Sequence, residues 1–144
     1  MKSNFRSAFL DTVPVMTGYL FLGFGFGILA LQNGLSIWWA LVMSLFIYAG
    51  SMQFVAVTML SGGVSLLTAA LTTLAVNARH LFYGLSMIDR YKGTGKKKPY
   101  LIFALTDETY SLVSQGKPRQ DGGKYYFLVS LLDQCYWVLG TLLG

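Results

Sequence analysis

The chain has 144 residues, of which 54% are hydrophobic and only 12% are charged, whereas a soluble domain carries about 25% charged residues. A globule of this size could not hide so much apolar surface from water, so a soluble protein, a disordered tail and a fibrous protein are excluded. The net charge of +5 does not indicate a nucleic-acid-binding protein, because the basic residues cluster at the ends of apolar segments, as membrane proteins place them.

Five apolar segments follow one another along the chain, at 13–31, 36–60, 64–88, 99–115 and 125–144. No residue with a formal charge lies between Asp11 and Arg79. Since a membrane span needs roughly 20 residues, this stretch alone has room for three. None of the segments shows the strict alternation of a transmembrane strand, and all are too long for one. The sequence therefore predicts an all-α fold: a polytopic membrane helix bundle of about five hydrophobic segments, forming one membrane domain over 1–144.

The basic residues predict how this bundle is oriented. Lys2 and Arg6 precede the first segment, and the loop 89–98 contains five of the 11 Lys and Arg residues against one acid, Asp89. Basic loops face the cytoplasm, so the N-terminus and this loop are both expected there. Three full crossings would place them on opposite sides. At least one of the first three segments is therefore predicted to be broken or re-entrant.

The second segment, 36–60, is the best candidate for this break. It contains Ala49-Gly50-Ser51, followed by Gln53, in its middle. Small and polar residues there free backbone groups that only a cavity or a neighbouring helix can satisfy inside a membrane. We therefore predict a break at Gly50-Ser51 and include Gly50 and Gln53 among the residues of a substrate or ion pathway.

Glycines are concentrated in the first and last segments, at Gly23, Gly25, Gly27, Gly140 and Gly144. Their spacing has two interpretations, which the sequence leaves open. Small residues four apart allow two membrane helices to pack closely. Alternatively, the glycines at 23–27 break or kink a helix that lines a binding site.

Several ionisable residues lie near the middle of their apolar segments. Arg79 is nine residues from Ile88, so at about 1.5 Å per residue it lies roughly 13 Å from that end of its segment, in an apolar layer about 30 Å thick. Asp107, Glu108 and Asp133 lie at a similar depth. An unpaired charge there is costly, so Arg79 is predicted to pair with Asp107 or Glu108 beside a substrate pathway. The alternative is a buried ion pair that only fixes helix register.

A polar stripe runs along the third segment. Thr73, Asn77, His80 and Gly84 fall on one face of a helix, as the wall of a cavity would, so Asn77 and His80 are added to the predicted pathway. Histidine changes its charge near neutral pH, and His80 could therefore carry protons. A hydrogen-bonded structural histidine is the open alternative.

No motif for a cofactor, a metal or a catalytic nucleophile occurs in the sequence. One His, one Cys and scattered acids lack the spacing of a metal site. Neither a phosphate-binding GxxxxGK[ST] loop nor a nucleophile on a strained turn is found. We therefore expect no metal, no cofactor and no enzymatic activity. A membrane-embedded enzyme using His80 and Asp107 and a non-transporting assembly subunit stay as alternatives.

Four blocks of the chain carry a further signal: FGFGILA at 24–30, YAGSMQF at 48–54, VNARHLFYGLS at 76–86 and LTDETY at 105–110. In their order and spacing they resemble the N-terminal part of the AzlC-type branched-chain amino acid permeases. The blocks that contain Arg79 and Asp107 are the specific ones. The resemblance covers nearly the whole chain.

This resemblance implies a permease that crosses the inner membrane of a bacterium several times. Because no nucleotide-binding motif occurs in the chain, we interpret it as a secondary transporter. Such proteins are similar to the large subunit of a two-component exporter of valine and related amino acids, whose second component is a small hydrophobic membrane protein of AzlD type. Because family members are longer, 1–144 is expected to be the N-terminal portion of a longer permease, without its C-terminal spans. The expected partners are the AzlD-type subunit, a branched-chain amino acid and the lipid bilayer, and not a nucleic acid.

The expected substrate is a zwitterion with a branched apolar side chain. Its site needs one group for the carboxylate, one for the ammonium and an apolar wall. Arg79 and either Asp107 or Glu108 could supply the charges. A half-helix end near Gly50 could hold the carboxylate by its positive dipole end.

Overall fold

The computed structural model describes residues 2–115 and 122–144, and every regular element in this part of the chain is helical. The helices are α1 (Lys2–Gln32), α2 (Ile37–Phe46), α3 (Gly50–Gly62), α4 (Leu66–Ser86), α5 (Lys98–Phe103, preceded by a 3-10 turn at Gly95–Lys97), α6 (Asp107–Ser114) and α7 (Gly122–Leu143). The predicted all-α membrane helix bundle is confirmed. Between the fourth and fifth apolar segments, residues 116–121 lie outside the described residues.

Among the described residues, two helices are long and apolar enough to cross a membrane. Within α1, Asn4–Gln32 reaches a mean hydropathy of 1.7, and α7 reaches 1.3. α4 has 21 residues, none of them buried, and its leucines are largely exposed, with Leu66 at 90% and Leu67 at 71%. So large an exposed apolar surface is suited to lipid rather than to water.

α1 and α7 pack side by side and run in the same direction. The hydroxyl of Tyr125, near the start of α7, donates to Oδ2 of Asp11 at 2.7 Å. Gly140, near the end of α7, lies against Gly23, later in α1. Contacts that advance along both helices together define a parallel pair. The helices between α1 and α7 must therefore carry the chain back through the bundle.

The close approach of α1 and α7 depends on glycine. A Cβ atom at Gly23 would lie 2.7 Å from the carbonyl oxygen of Trp137, and one at Gly140 would lie 2.8 Å from that of Tyr19. Either contact would force the two backbones apart. Close packing through small residues is thus confirmed. The alternative of a helix broken at 23–27 is wrong, because α1 is continuous through these glycines.

The second apolar segment is interrupted, as predicted. α2 ends at Phe46 and α3 begins at Gly50, so the interruption comprises residues 47–49, and Gly50 itself opens the second helix. Tyr48 adopts a φ of 44°, a left-handed conformation in which a bulky residue is a rare outlier. Its side chain is only 3% exposed. Burial of the ring therefore holds the backbone in this strained turn.

α2 and α3 form a re-entrant hairpin. Met87 and Tyr91, which follow α4, pack in one buried cluster with Ala8 of α1, so α4 ends beside the start of α1. The N-terminal end of α1 and the loop 89–98 thus lie at one end of the bundle, as expected. α4 begins at the other end, where α1 ends. Since α2 starts just after α1 and α3 ends just before α4, both arms of the hairpin open toward the end where α1 finishes.

The fourth apolar segment is also interrupted, and the expectation of one helix there is wrong. Residues 104–106 separate α5 from α6. Thr106 is the N-cap residue of α6, and its hydroxyl accepts a hydrogen bond from the N–H of Thr109. Asp107 and Glu108 lie in the first turn, where the positive end of the helix dipole favours acids. These local interactions favour a new helix start at this point.

α5 and α6 form a second hairpin, which enters from the opposite end. α5 follows the loop that contains Tyr91, beside the start of α1, and α7 also begins there, since Tyr125 contacts Asp11. Both arms therefore open toward the start of α1. The two interruptions meet inside the bundle, where the ring centroids of Tyr48 and Phe103 lie 6.3 Å apart.

Candidate functional site

A cavity of about 310 Å³ lies where the two hairpins meet. Small-molecule sites have volumes of roughly 300–1,000 Å³, so this cavity suits a small ligand. The lining residues come from α1, α4, α7, the two interruptions and the first turns of α3 and α6. They are Tyr19, Leu22, Tyr48, Ala49, Gly50, Ser51, Phe54, Arg79, His80, Thr106, Asp107, Glu108 and Trp137.

The cavity brings together most of the residues predicted for a substrate or ion pathway. Those that line it are Gly50, Arg79, His80, Asp107 and Glu108. Gln53 and Asn77 do not belong to its lining. Residues from distant parts of the sequence thus converge on one small space.

Arg79 connects the two hairpins. Its Nη1 lies 2.5 Å from Oδ2 of Asp107, the first residue of α6. Its Nη2 donates to Oγ of Ser51, in the first turn of α3, at 2.6 Å. The predicted pairing with Asp107 is therefore present. The two charged side chains are 42% and 33% exposed, so the pair lies at the cavity surface rather than in a sealed core.

Glu108 makes a different contact, with α1. The hydroxyl of Tyr19 lies 2.7 Å from Oε2 of Glu108 and 2.6 Å from Oγ1 of Thr106. The hydroxyl group of Tyr19 has one proton, so it can donate a hydrogen bond to only one of these two oxygens at a time. Glu108 is thus held at the cavity wall by a hydroxyl group, and not by a guanidinium.

Three buried polar atoms of the cavity residues have no hydrogen-bond partner in the described part of the chain: the hydroxyl of Tyr48, Nδ1 of His80 and Oδ1 of Asp107. Buried polar groups in native proteins are nearly always hydrogen-bonded. The ring of His80 packs edge-on to Tyr83, with 5.9 Å between centroids. Residues that line the cavity thus carry polar atoms whose hydrogen-bonding capacity is unused in the described part of the chain.

Apolar side chains form the remaining wall. Leu22, Phe54 and Trp137 all line the cavity. Trp137 packs edge-on against Tyr19, with 5.4 Å between ring centroids. A ligand with both charged and apolar parts would meet a matching surface on each side.

Gln53 ties the first hairpin to α7. Its side chain is fully buried; Nε2 donates to Oγ of Ser44 at 3.3 Å, and Oε1 accepts from Nε1 of Trp137 at 3.1 Å. Oγ of Ser44 in turn lies 2.9 Å from Oγ1 of Thr141. One polar network thus joins α2, α3 and α7, and it fixes the arms around the interruption.

The polar stripe predicted along α4 contributes only His80 to the cavity. Thr73 donates its hydroxyl to the carbonyl oxygen of Ala69, one turn earlier in the same helix. Oδ1 of Asn77 has no partner in the described part of the chain. Thr73, Asn77 and Gly84 are thus not among the residues that line this cavity, and the interpretation of the stripe as the wall of a pathway stays a prediction.

Sequence reasoning missed several lining residues. Tyr19, Tyr48 and Trp137 lie in apolar segments, where an aromatic residue usually indicates packing, and no local pattern separates them from other aromatics. Thr106 had a signal: a threonine followed by two acids is typical of a helix start. That signal would have predicted the second interruption.

Comparison with known proteins finds related membrane proteins. Residues 14–144 match the family model described as AzlC protein. The chain is 48% identical over 97% of its length to the branched-chain amino acid transport protein AzlC of Bacillus subtilis. It is 46% identical over 97% to an uncharacterized membrane protein of Helicobacter pylori, and 33% identical over 99% to the inner membrane protein YgaZ of Escherichia coli. No solved structure matches the chain.

The chain spans only part of these relatives. It covers 56% of the Bacillus protein, 62% of the Helicobacter protein and 60% of YgaZ. The transport named for the Bacillus protein is a property of that whole protein.

Proposed function

Since the chain belongs to the AzlC protein family, we propose that it forms part of a bacterial inner-membrane permease that exports branched-chain amino acids such as valine. The observation that carries this proposal is the cavity between two interrupted hairpins entering from opposite ends of the bundle. Secondary transporters commonly place their substrate between discontinuous helices near the middle of the membrane. The absence of a nucleotide-binding motif in the sequence favours this class of transporter.

The carboxylate of the substrate binds between Arg79 and the start of α3. The first N–H groups of a helix have no partner inside the helix, and together with the helix dipole they attract anions. Gly50 and Ser51 place those groups at the cavity. Arg79 adds a planar fork that can hold a carboxylate at two points.

The ammonium and the side chain of the substrate bind on the other walls. Asp107 and Glu108 supply carboxylates for the ammonium, and Oδ1 of Asp107 has no other partner in the described residues. Leu22, Phe54 and Trp137 contact the branched side chain. In such an apolar site one methylene changes the binding free energy by only about 1–3 kcal/mol. Branched-chain amino acids that differ by one methylene therefore share the site.

Substrate binding loosens the contact between the two hairpins. In the structure Arg79 joins Ser51 of α3 to Asp107 of α6. A substrate carboxylate replaces Asp107 at Arg79, and the released Asp107 takes the ammonium. Each hairpin can then move separately, and the cavity opens toward one end of the bundle at a time.

The proposal includes the small AzlD-type partner, which is inferred from the family resemblance. The test is valine efflux from cells that express the complete protein, with and without that subunit. Efflux above the level of cells lacking both components supports the proposal, and dependence on the small subunit supports the two-component assembly.

Two other outcomes would contradict the proposal. Turnover of a lipid or peptide without valine efflux would indicate a membrane-embedded enzyme that uses His80 and Asp107. Unchanged efflux when only the small subunit is expressed would indicate a non-transporting assembly role for this chain.

A further inference from the structure

Asp133 of α7 is a buried acid that has no cationic partner among the described residues. Its side chain is fully buried, and in the described residues neither salt bridge involves it. Oδ2 accepts a hydrogen bond from Oγ1 of Thr109 at 2.7 Å, whereas Oδ1 has no partner. An ionised carboxylate without a cation in a membrane interior is costly, so the neutral acid suits this position.

The titratable groups around Asp133 do not supply a positive charge. They are Glu108 of α6, Tyr19 of α1, Tyr48 between α2 and α3, and Tyr100 of α5. All of them are acids or phenols. The guanidinium of Arg79 is engaged elsewhere, with Asp107 and Ser51.

A continuous chain of hydroxyl groups joins Asp133 to the cavity. Thr109 donates to Asp133, and Oγ1 of Thr106 donates to Oγ1 of Thr109 at 3.0 Å. The hydroxyl of Tyr19 lies 2.6 Å from Oγ1 of Thr106 and 2.7 Å from Oε2 of Glu108. All three hydroxyl-bearing residues are buried. Every step from Glu108 to Asp133 is thus within hydrogen-bond distance.

We propose that Asp133 is an internal proton-binding site, loaded from Glu108 through this hydroxyl chain, and that it couples transport to a proton gradient. The inference rests on the proposed transport function. In the described residues no group of three or more His, Cys, Asp or Glu side chains surrounds Asp133, whereas a row of O–H groups, each donating to the next, can conduct a proton.

The transfer is balanced without any further reactant. A protonated Glu108 gives its proton to the oxygen of Tyr19, and Tyr19, Thr106 and Thr109 each pass their own hydroxyl proton onward. The last proton binds to Oδ2 of Asp133. Each O–H bond that breaks is matched by one that forms, so Glu108 ends as a carboxylate and Asp133 as a neutral acid. The anionic Glu108 then attracts the ammonium of the substrate, which links proton occupancy to substrate binding.

The test uses the complete protein with its AzlD-type partner in lipid vesicles, and it measures two activities. One is exchange of labelled valine for unlabelled valine at equal pH. The other is accumulation of valine against its gradient when a pH difference is imposed. We expect the unaltered protein to show both activities.

Asp133→Asn should still exchange valine, because the amide oxygen can accept a hydrogen bond from Thr109 as the neutral acid does. Its accumulation of valine should fall to the level measured without a pH difference. Thr109→Val should behave in the same way, since it breaks the hydroxyl chain while keeping the side-chain shape. Thr109→Ser keeps the hydroxyl and should keep accumulation. The control is Thr12→Val. It removes a buried hydroxyl that contacts Tyr136 and is not a member of the hydroxyl chain, so it should change neither activity.

Accumulation driven by the pH difference in Asp133→Asn would overturn the inference, as would a wild-type protein that exchanges valine but responds only to a sodium gradient. If Asp133→Asn does not insert into the membrane, the accumulation of valine by Thr109→Val is compared with that by Thr109→Ser. Loss of accumulation in the valine variant alone supports the inference, and equal accumulation in both variants contradicts it. A wild-type protein without exchange would instead refute the proposed transport function itself.

Discussion

Nη2 of Arg79 donates a hydrogen bond to Oγ of Ser51 at 2.6 Å, across the gap between α4 and the first turn of α3. The same guanidinium pairs with Asp107 at the start of α6. One side chain therefore holds the tips of two hairpins that enter from opposite ends. Its loss should affect movement of the hairpins more than folding.

Arg79→Ala should abolish valine transport while the protein still inserts and folds. Because the two side chains of the pair are 42% and 33% exposed, water screens them, and the loss of stability should be about 1 kcal/mol or less. Arg79→Lys should restore transport only partly, since lysine lacks the planar fork. Efflux from vesicles and thermal unfolding in detergent check both statements.

Arg90→Ala is the matched control for Arg79→Ala, because it removes an arginine at the end of the bundle and leaves the cavity lining intact. Normal valine efflux by a correctly inserted Arg79→Ala protein would refute a role of this residue in the substrate pathway.

Gly23→Ala should destabilise the bundle. The new Cβ atom would lie 2.7 Å from the carbonyl oxygen of Trp137, and backbone atoms cannot move aside as flexible side chains do. Overpacking of this kind costs about 1–3 kcal/mol. Gly25→Ala, in the same helix but with nothing within 4 Å of its added Cβ, should be neutral or stabilising. Equal melting temperatures for the two variants would show that α1 and α7 do not pack through Gly23.

Gln53→Leu should lower stability without changing the apparent affinity for valine. The substitution leaves the buried Nε1 of Trp137 without its acceptor, which costs about 1–3 kcal/mol. Since Gln53 does not line the cavity, KM should stay constant while the rate falls. Gln32→Leu, at an exposed position, is the control and should change neither. A selective rise in KM for Gln53→Leu would place this residue in the substrate path.

Cysteine labelling should show that Ser3 and Lys96 face the same side of the membrane and that Gln32 faces the other. The N-terminal end of α1 and the loop 89–98 lie at one end of the bundle, and the basic loop predicts that this end is cytoplasmic. Single cysteines are introduced after replacement of Cys135, which is exposed. Opposite accessibility of Ser3→Cys and Lys96→Cys would contradict the re-entrant arrangement of α2 and α3.

The sequence predicted the charged part of the site and one interruption, for a clear physical reason. A charge in an apolar layer requires a partner at the same depth, so the positions alone predicted that Arg79 pairs with Asp107 or Glu108, and the structure selects Asp107. Small residues around Gly50 indicated where a helix could stop. Thr106 followed by two acids is an equally good signal for a helix start, and the prediction of one helix over 99–115 did not use it.

Other features depend on the tertiary structure and have no local signature. Tyr19 reaches Glu108 and Thr106 only because α1 lies beside the start of α6. Tyr48 occupies a left-handed conformation that no pattern in its segment indicates. The isolation of Asp133 from any cation is likewise a consequence of how the helices are arranged around it.

The order of the elements has a consequence for the energy of the proposed transport cycle. The chain contains two units of the same kind. α1 with α2 and α3 forms the first unit, and α4 with α5 and α6 forms the second. Each unit consists of a crossing helix and an interrupted hairpin, and the second unit is inverted relative to the first. This order of elements is the one found in inverted repeats, whose halves are related by a pseudo-two-fold axis in the membrane plane. If the two units exchange their conformations, the cavity opens to the opposite side of the membrane, in an arrangement related to the first by rotation and with an equivalent set of hairpin contacts. The inward-facing and outward-facing forms then differ little in intrinsic free energy, so gradients and substrate, rather than the fold, set the direction of flow.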